Sequence, residues 1–267
     1  MPPLMRASPR DRQPAPTKQA KPARPPSPVH IMQPQAVSHR SWHRMLWHVA
    51  QLPMPIIQGL WQNPDQMVAG GSMLKDGDRC TVARVYAHNS GTERSYVLKR
   101  YNQKDAFHTA THLLLRSRAR WTWLNGRRLL AAGLPTPAPL ACVDERRVGV
   151  FRVGSYLLTE FIPGEPLSEL IETGKYDEAR LRDLARQFVS IWQRLGQLQL
   201  GYGDMKATNF IVDPNGRLWL IDLDGMRLYR SRSMLRHKRR KDLARFMQNW
   251  HNKPEVAALF RARIGTG

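Results

Sequence analysis

The sequence predicts an α+β chain of two lobes, a small antiparallel sheet followed by a mainly helical half. Three observations carry that expectation. Short apolar runs separated by turn residues occupy 71–102. Leu181, Leu184, Phe188, Ile191 and Leu195 recur at the three-and-four spacing of one helix face in EARLRDLARQFVSIWQRLGQL. After that helix come two apolar strands, FIVD and RLWLID, joined by the turn residues Pro214, Asn215 and Gly216, and then a basic helical tail. A chain of 267 residues suits one large domain or two lobes with a non-globular end.

In chain order, residues 1–40 read as a disordered, basic, Pro-rich tail, in which Asp11 is the only acid. Such a segment buries too little apolar surface to offset its chain entropy. Residues 41–70 alternate aromatic and polar positions and read as an amphipathic N-terminal extension. Its Trp42, Leu46, Trp47 and Val49 either pack on the main fold or meet lipid. The N-lobe then spans 71–162. MLKDGDRCTVARVYAH and RSYVLKRYN make three strands, turned around Gly77 and around Asn89-Ser90-Gly91. Residues 106–132 read as helical. LPTPAPLACV is extended because Pro135, Pro137 and Pro139 prevent a helix. VGSYLLTEFI is a strand ending at Pro163-Gly164, and 163–267 form the C-lobe with basic C-terminal helices.

The charge balance is extreme: 42 Lys and Arg against 21 Asp and Glu, a net +21. That surface favours a polyanionic partner, whether nucleic acid, an anionic membrane face or a phosphorylated glycolipid. Nucleic acid ranks lowest, because the cations are not interleaved with exposed aromatics and no binding motif is present. Cys80 and Cys142 stand far apart in no metal-binding spacing and read as buried thiols. No apolar run is long enough to cross a membrane, and the N-terminus lacks the apolar core of a signal peptide. The expectation is a cytoplasmic protein, peripheral to a membrane.

The stretch GYGDMKATNFIVDPNGRLWLIDLDG, residues 201–225, carries the chemistry. Phosphoryl transfer asks a protein for a carboxylate to orient the attacking hydroxyl, oxygen ligands for Mg²⁺ and a cation on the phosphates. Asp204, Asn209 five residues on, and Asp222 after the hairpin supply the first two needs. The bland alternative is that Asp204 caps a turn and Asp222 ends a strand. Upstream, Lys99 in YVLKRY alternates inward with Val97, and a Lys facing inward from an apolar strand needs an anionic partner.

LKDGDRCTVARV, VLKRYN, SRARWTW, AAGLPTPAPLA, YLLTEFIPG, GDMKATNFIVD, LIDLDGMR and RRKDLARFMQNW together resemble the protein-kinase-like fold. Within it they are similar to the bacterial lipopolysaccharide kinase family, which phosphorylates heptose or Kdo sugars of the inner core. The likeness runs from about 71 to 260. It implies ATP and Mg²⁺ as cofactors, a lipid A–core glycolipid as substrate and the anionic cytosolic face of the inner membrane as the place of work. It implies that Lys99 pairs with the α/β-phosphates and that Asp204 is the catalytic carboxylate. Lys206 would steady the transferred phosphate, and Asn209 and Asp222 would bind the metal. The loop over the phosphates would be 75–82, with Lys75, Gly77, Thr81 and Val82 at the nucleotide. Thr159 to Ile162 would be the adenine hinge, with Glu160 and Ile162 at the nucleotide. Asp224 would add either a metal contact or a salt bridge to a nearby Arg.

The chain departs from the pattern in three places. The loop has a single glycine, Gly77, where protein kinases have three. Residues 106–143 contain no acid, so the helix Glu that pairs with the strand Lys is missing, and Trp121, Thr122 and Trp123 fall where it is expected. Lys99 must then be held by Asp222, by the nucleotide or by another acid such as Asp105. Tyr202 stands where the family usually has His, and would substitute for it structurally. The missing Glu keeps open a non-catalytic pseudokinase at the membrane surface, and the fold also serves other acceptors such as protein. The cations from Arg227 to Arg245 crowd the side that faces the acceptor in kinases, where they meet either an anionic core or solvent.

Overall fold

The computed structural model describes residues 36–89, 92–102, 117–147 and 151–265. The tail to residue 35, the turn at 90–91, Asp105 and the first part of the predicted helix, to 116, lie outside the described residues. The chain forms β1 (Ala36–Arg40), β2 (Arg44–Val49), α1 (Met54–Gln62), α2 (Pro64–Ala69), β3 (Ser72–Lys75), β4 (Cys80–Asn89), β5 (Thr92–Tyr101), α3 (Arg118–Ala131), β6 (Pro139–Arg147) and β7 (Phe151–Glu160). There follow β8 (Glu165–Pro166), α4 (Leu167–Glu172), α5 (Glu178–Gln197), β9 (Leu200–Gly201), β10 (Phe210–Val212), β11 (Leu218–Leu220), β12 (Arg227–Leu228), α6 (Arg232–Met247) and α7 (Pro254–Gly265). The class is α+β, as a protein-kinase-like fold requires.

One antiparallel sheet of seven strands, ordered β1-β2-β6-β7-β5-β4-β3, builds the first half. Two of its strands come from residues expected outside the lobe. Ala36–Arg40, placed in the disordered tail, pairs with β2 in register from Ala36↔Val49 to Arg40↔Met45. All five of its residues are exposed, so no apolar pattern betrays the strand; backbone pairing makes it, and the His39 ring adds a hydrogen bond to His48 at 3.0 Å. Residues 41–70 are not a single amphipathic segment. They give β2, which pairs with β6, and two short helices.

Strand alternation splits the sheet into two faces. Leu46, Ala83, Val85, Leu98, Val143 and Leu158 face one way and bury Ile56, Ile57, Leu60 and Val68 of α1 and α2. Each large aliphatic side chain enclosed there contributes about 1.5–3 kcal/mol. Within the extension, Leu46 and Val49 are buried and Trp47 is half-buried, but Trp42 is 81% exposed at the β1–β2 turn. On the opposite face, Tyr101, Cys142 and Leu157 pack on Ala119 and Trp123 of α3. Ser117 caps α3, its hydroxyl accepting from the Arg120 amide at 2.8 Å.

The second half is assembled around aromatics. Phe188 of α5 stacks on Phe246 of α6 with ring centres 4.0 Å apart, and Phe210 and Phe260 meet Phe188 edge-on. The predicted stripe from Leu181 to Leu195 is the buried face of α5. The predicted hairpin forms as β10 and β11, in register from Phe210↔Leu220 to Val212↔Leu218. It presents Asn209 at its entry and Asp222 just past its exit.

Candidate active site

A cleft of about 530 Å³ lies between the sheet and the helical half. Its walls are largely apolar, with Val82, Leu157, Ile162 and Ile211 among them, and its inner end carries Lys99, Asn209, Asp222 and Asp224. On β5, period-two alternation turns Val97, Lys99 and Tyr101 to this side. Lys75, Val82, Glu160 and Ile162, singled out in the sequence, also line it.

Thr81 does not join them. It sits between Cys80 and Val82, which face the cleft, so its own side chain points the other way. There its hydroxyl donates to Asp76 at 3.0 Å and accepts from Arg100 at 3.4 Å. The Thr81 side chain, placed at the nucleotide by the resemblance, therefore faces away from the cleft. Gly77 does not line the cleft either. A Cβ there would meet nothing nearer than the Cys80 carbonyl at 3.8 Å, so the loop conformation does not demand glycine. The Gly77 carbonyl accepts instead from Asn102 at 2.9 Å.

Lys99 Nζ donates to Asp222 Oδ1 at 2.8 Å and to Asp224 Oδ2 at 2.9 Å. Burial works to lower its pKa, but the carboxylates of Asp224 and Asp222 outweigh burial and hold it above the ordinary lysine value. Asp224 also accepts from Tyr101 Oη at 2.7 Å, Thr122 Oγ1 at 3.0 Å and Arg118 Nη2 at 3.1 Å. Burial would raise the Asp224 pKa, but Lys99, then Tyr101 and Arg118, keep it below the usual carboxylate range. Asp222 takes a left-handed backbone, φ 57° and ψ 70°, which costs a non-glycine residue roughly 1–3 kcal/mol.

The loop after β9 lies against this acidic turn. Gly203 has φ +105°, and a Cβ on it would stand 2.4 Å from the Gly225 carbonyl, so only glycine fits. Tyr202 is buried, and its hydroxyl donates to the Ile221 carbonyl, next to Asp222. Burial, then Asp222 and Asp204, push its phenol well above its ordinary pKa, so it serves as a tie and not as a base. From beneath, Asp242 of α6 accepts from the Tyr202 amide at 2.9 Å and the Gly203 amide at 3.1 Å. Lys238 bridges Asp242 and the Gly203 carbonyl, both at 3.2 Å.

Asp204 emerges from this loop half-exposed. It pairs with Lys206 Nζ at 2.5 Å and stands 3.7 Å from Arg245 Nε. Asn209 Nδ2 donates to the Asp204 carbonyl at 2.9 Å, and the Asn209 carbonyl accepts from the Ile221 amide at 2.9 Å. Backbone and side chain thus link Asp204, Asn209 and Asp222, and Asp222 links to Lys99. Asp204 and Lys206 lie beyond the enclosed part of the cleft, toward α6.

The donor set suits a hard cation. Asp222 uses one carboxylate oxygen on Lys99 and keeps the other. Asn209 uses its amide N–H on Asp204 and keeps its oxygen. Chemically, the site can hold an anion at Lys99, a divalent ion at Asn209 and Asp222, and a hydroxyl at Asp204.

Sequence reasoning missed Tyr101, Arg118 and Asp242, and named Thr122 only as standing about where a helix Glu is expected. Asp242 had a readable signal: it is the acid in a basic helix, and it shares the spacing of buried Leu235 and Phe246. The basic segment is also less uniform than expected. Arg227 and Lys238 donate to backbone inside the site, and Arg239 donates to the Trp192 carbonyl at 2.7 Å while covering its ring. Arg230, Arg232, Arg236, Arg240 and Lys241 are exposed.

Residues 60–260 match the family described as lipopolysaccharide kinase (Kdo/WaaP). The chain is similar to the 3-deoxy-D-manno-octulosonic acid kinase of Xylella fastidiosa strain M12, with 27% identity over 157 residues, 54% of this chain and 61% of that one. The protein of the same description from strain 9a5c matches with the same identity and coverage. That from strain M23 is 29% identical over 120 residues, 40% of this chain and 46% of that one. The chain spans 61% of the length of the first two of these relatives.

Proposed function

The chain belongs to the lipopolysaccharide kinase (Kdo/WaaP) family, and from that premise we propose that it transfers the γ-phosphate of ATP to a sugar hydroxyl of the lipopolysaccharide inner core. The observation that carries the reading is the single cleft in which Lys99, Asn209 and Asp222 meet, with Asp204 at its outer edge. Kdo is the favoured acceptor, since the similar Xylella proteins carry that name; heptose is the second reading.

In this reading the apolar walls take the adenine and Lys99 takes the α/β-phosphates. Asn209 and Asp222 hold Mg²⁺, which when bound neutralises phosphate charge. Asp204 orients the acceptor hydroxyl and receives its proton as the sugar oxygen bonds to phosphorus. The bond between the γ-phosphorus and the β,γ-bridging oxygen breaks, and ADP leaves. Lys206 steadies the transferred group. Lys75, at the cleft rim, supplies charge where a loop with one glycine supplies few amides.

The exposed cations of α6 favour an anionic acceptor. Arg232, Arg236 and Arg240 repeat every four residues and so share one helix face, with Arg230 and Lys241 beside it. Core phosphates and Kdo carboxylates are the complementary groups, at an anionic bilayer surface on the cytoplasmic side. Among the described residues, no helix is long and apolar enough to cross a membrane.

The test is transfer of labelled γ-phosphate from ATP–Mg²⁺ to dephosphorylated inner-core lipopolysaccharide. Wild type should label the glycolipid. Asp204→Asn should lose about 10²–10⁴-fold in kcat while its ATP affinity stays within a few-fold. Equal activity in the variant would sink the catalytic assignment. Nucleotide binding without transfer by wild type would favour a non-catalytic member or another acceptor.

A further inference from the structure

Residues 106–143 hold no acid, so α3 has no carboxylate to offer Lys99. We propose that Asp224 fills that place as a positioning residue: it fixes Lys99 and, through Arg118 and Thr122, locks α3 onto the acidic turn. The usual polarity is reversed, with the acid on the turn and the donors on the helix.

A count of lone pairs separates Asp224 from its neighbour Asp222. An ionised carboxylate offers about four acceptor sites. On Asp224, Oδ2 takes Lys99 and Arg118, and Oδ1 takes Tyr101 and Thr122. Its four sites are filled by four donors from β5 and α3, which leaves none for a metal ion. Its side chain is 15% exposed, against 40% for Asp222, which meets Lys99 through Oδ1. Two carboxylates two residues apart therefore divide the work: Asp222 faces the ion, and Asp224 faces the protein. Lys99 has three protons and gives two to these acids, so one remains for phosphate.

Arg118 extends the clasp. It also donates to the Arg79 carbonyl at 3.4 Å and lies 4.8 Å from the Tyr101 ring centre. The phosphate-side loop, the start of α3 and the acidic turn are thus joined through one guanidinium. Asp224 helps set the position of α3 in place of a helix acid, beside Trp121 and Asn125, which donate to the Met226 carbonyl at 2.9 and 3.3 Å.

The proposal rests on the phosphotransferase reading, and its test avoids the acceptor. Calorimetry on the full chain measures Mg²⁺·ADP affinity and the Mg²⁺ concentration at half-saturation. Amide hydrogen exchange on the ligand-free protein follows Arg118–Asn125. Asp224→Asn should weaken Mg²⁺·ADP about 10–100-fold, as loss of an orienting partner does, and speed exchange across that helix start, while the Mg²⁺ requirement stays unchanged. Adding Thr122→Glu, which returns a carboxylate to the helix, should recover most of the affinity. A shift in the Mg²⁺ requirement matching that of Asp222→Asn would make Asp224 a metal ligand and overturn the proposal. So would unchanged affinity and exchange. If Asp224→Asn fails to fold, Arg118→Gln and Thr122→Val, each removing one donor, should give smaller losses in the same direction; no change in either would overturn it. Wild type that binds Mg²⁺·ADP but phosphorylates no core sugar sinks the acceptor reading alone, whereas wild type that binds no Mg²⁺·ADP overturns both.

Discussion

On the sheet side of the cleft, Lys99 and Asp224 are each 15% exposed; Asp222 and Asp224 hold Lys99, and side chains of β5 and α3 hold Asp224. On the helical side, Asp204 is 50% exposed, and its partners Lys206 and Arg245 are themselves partly in solvent. What is fixed there is the backbone under Asp204, through Asp242, Lys238 and Tyr202. Enclosed ion pairs give a rigid cation for a ligand of constant shape, since low dielectric strengthens each contact and full satisfaction removes alternatives. An exposed carboxylate on an anchored loop can exchange Lys206 for an incoming hydroxyl at little cost. The difference fits a nucleotide on one side and a large acceptor on the other.

The largest effect that would break this contrast comes from beneath the loop. Asp242→Ala leaves two amides without their acceptor and Lys238 without its carboxylate partner, and should cost about 3–5 kcal/mol in denaturant unfolding. In the protein that remains folded, kcat should fall while Mg²⁺·ADP affinity stays within a few-fold; equal loss of both would erase the distinction between the two sides. Next, Arg232→Gln with Arg236→Gln and Arg240→Gln, which removes three charges at about 1 kcal/mol each, should raise the acceptor KM on the order of 100-fold and leave the ATP KM alone. A matching rise for ATP would place the cations on the nucleotide side.

The smallest effect sharpens the comparison by pH. Asp213, in the β10–β11 turn, accepts from the Asn215 and Arg217 amides and from Trp219 Nε1, all at 2.9 Å. Burial works to raise its pKa, but these donors, Trp219 first, hold it below the ordinary value. A depressed carboxylate stabilises above its unfolded pKa, and that stability is lost as pH falls through the folded value. Asp213→Asn should therefore cost about 1 kcal/mol at neutral pH. The gap to wild type should close as pH drops below about 4, as followed by chemical denaturation. A gap that widened in acid would reverse the assignment.

Periodic features were legible without coordinates. Period two on β5 puts Val97 and Lys99 on one side, and the structure has both on the cleft. Period 3.6 marks the buried face of α5, and Pro214-Asn215-Gly216 marks the hairpin that brings Asn209 near Asp222. Thr81 and Val82 could not both face the cleft, and the same period-two rule would have separated them. β1 was hidden because its five residues are exposed and its partners, the β2 backbone and the His48 and Trp61 rings against His39, lie outside it. Asp224 was left between two roles because its four donors come from residues 99, 101, 118 and 122, far from it in sequence.

By itself the sequence determined the local elements, the order of the lobes and which residue types could do phosphate chemistry, because turn residues and apolar periodicity act over a few neighbours. The tertiary structure decided which acid holds Lys99, which cations turn inward and how the N-terminal strands extend the sheet. Those choices depend on hydrogen bonds and burial between segments distant in the chain, and no local pattern records them.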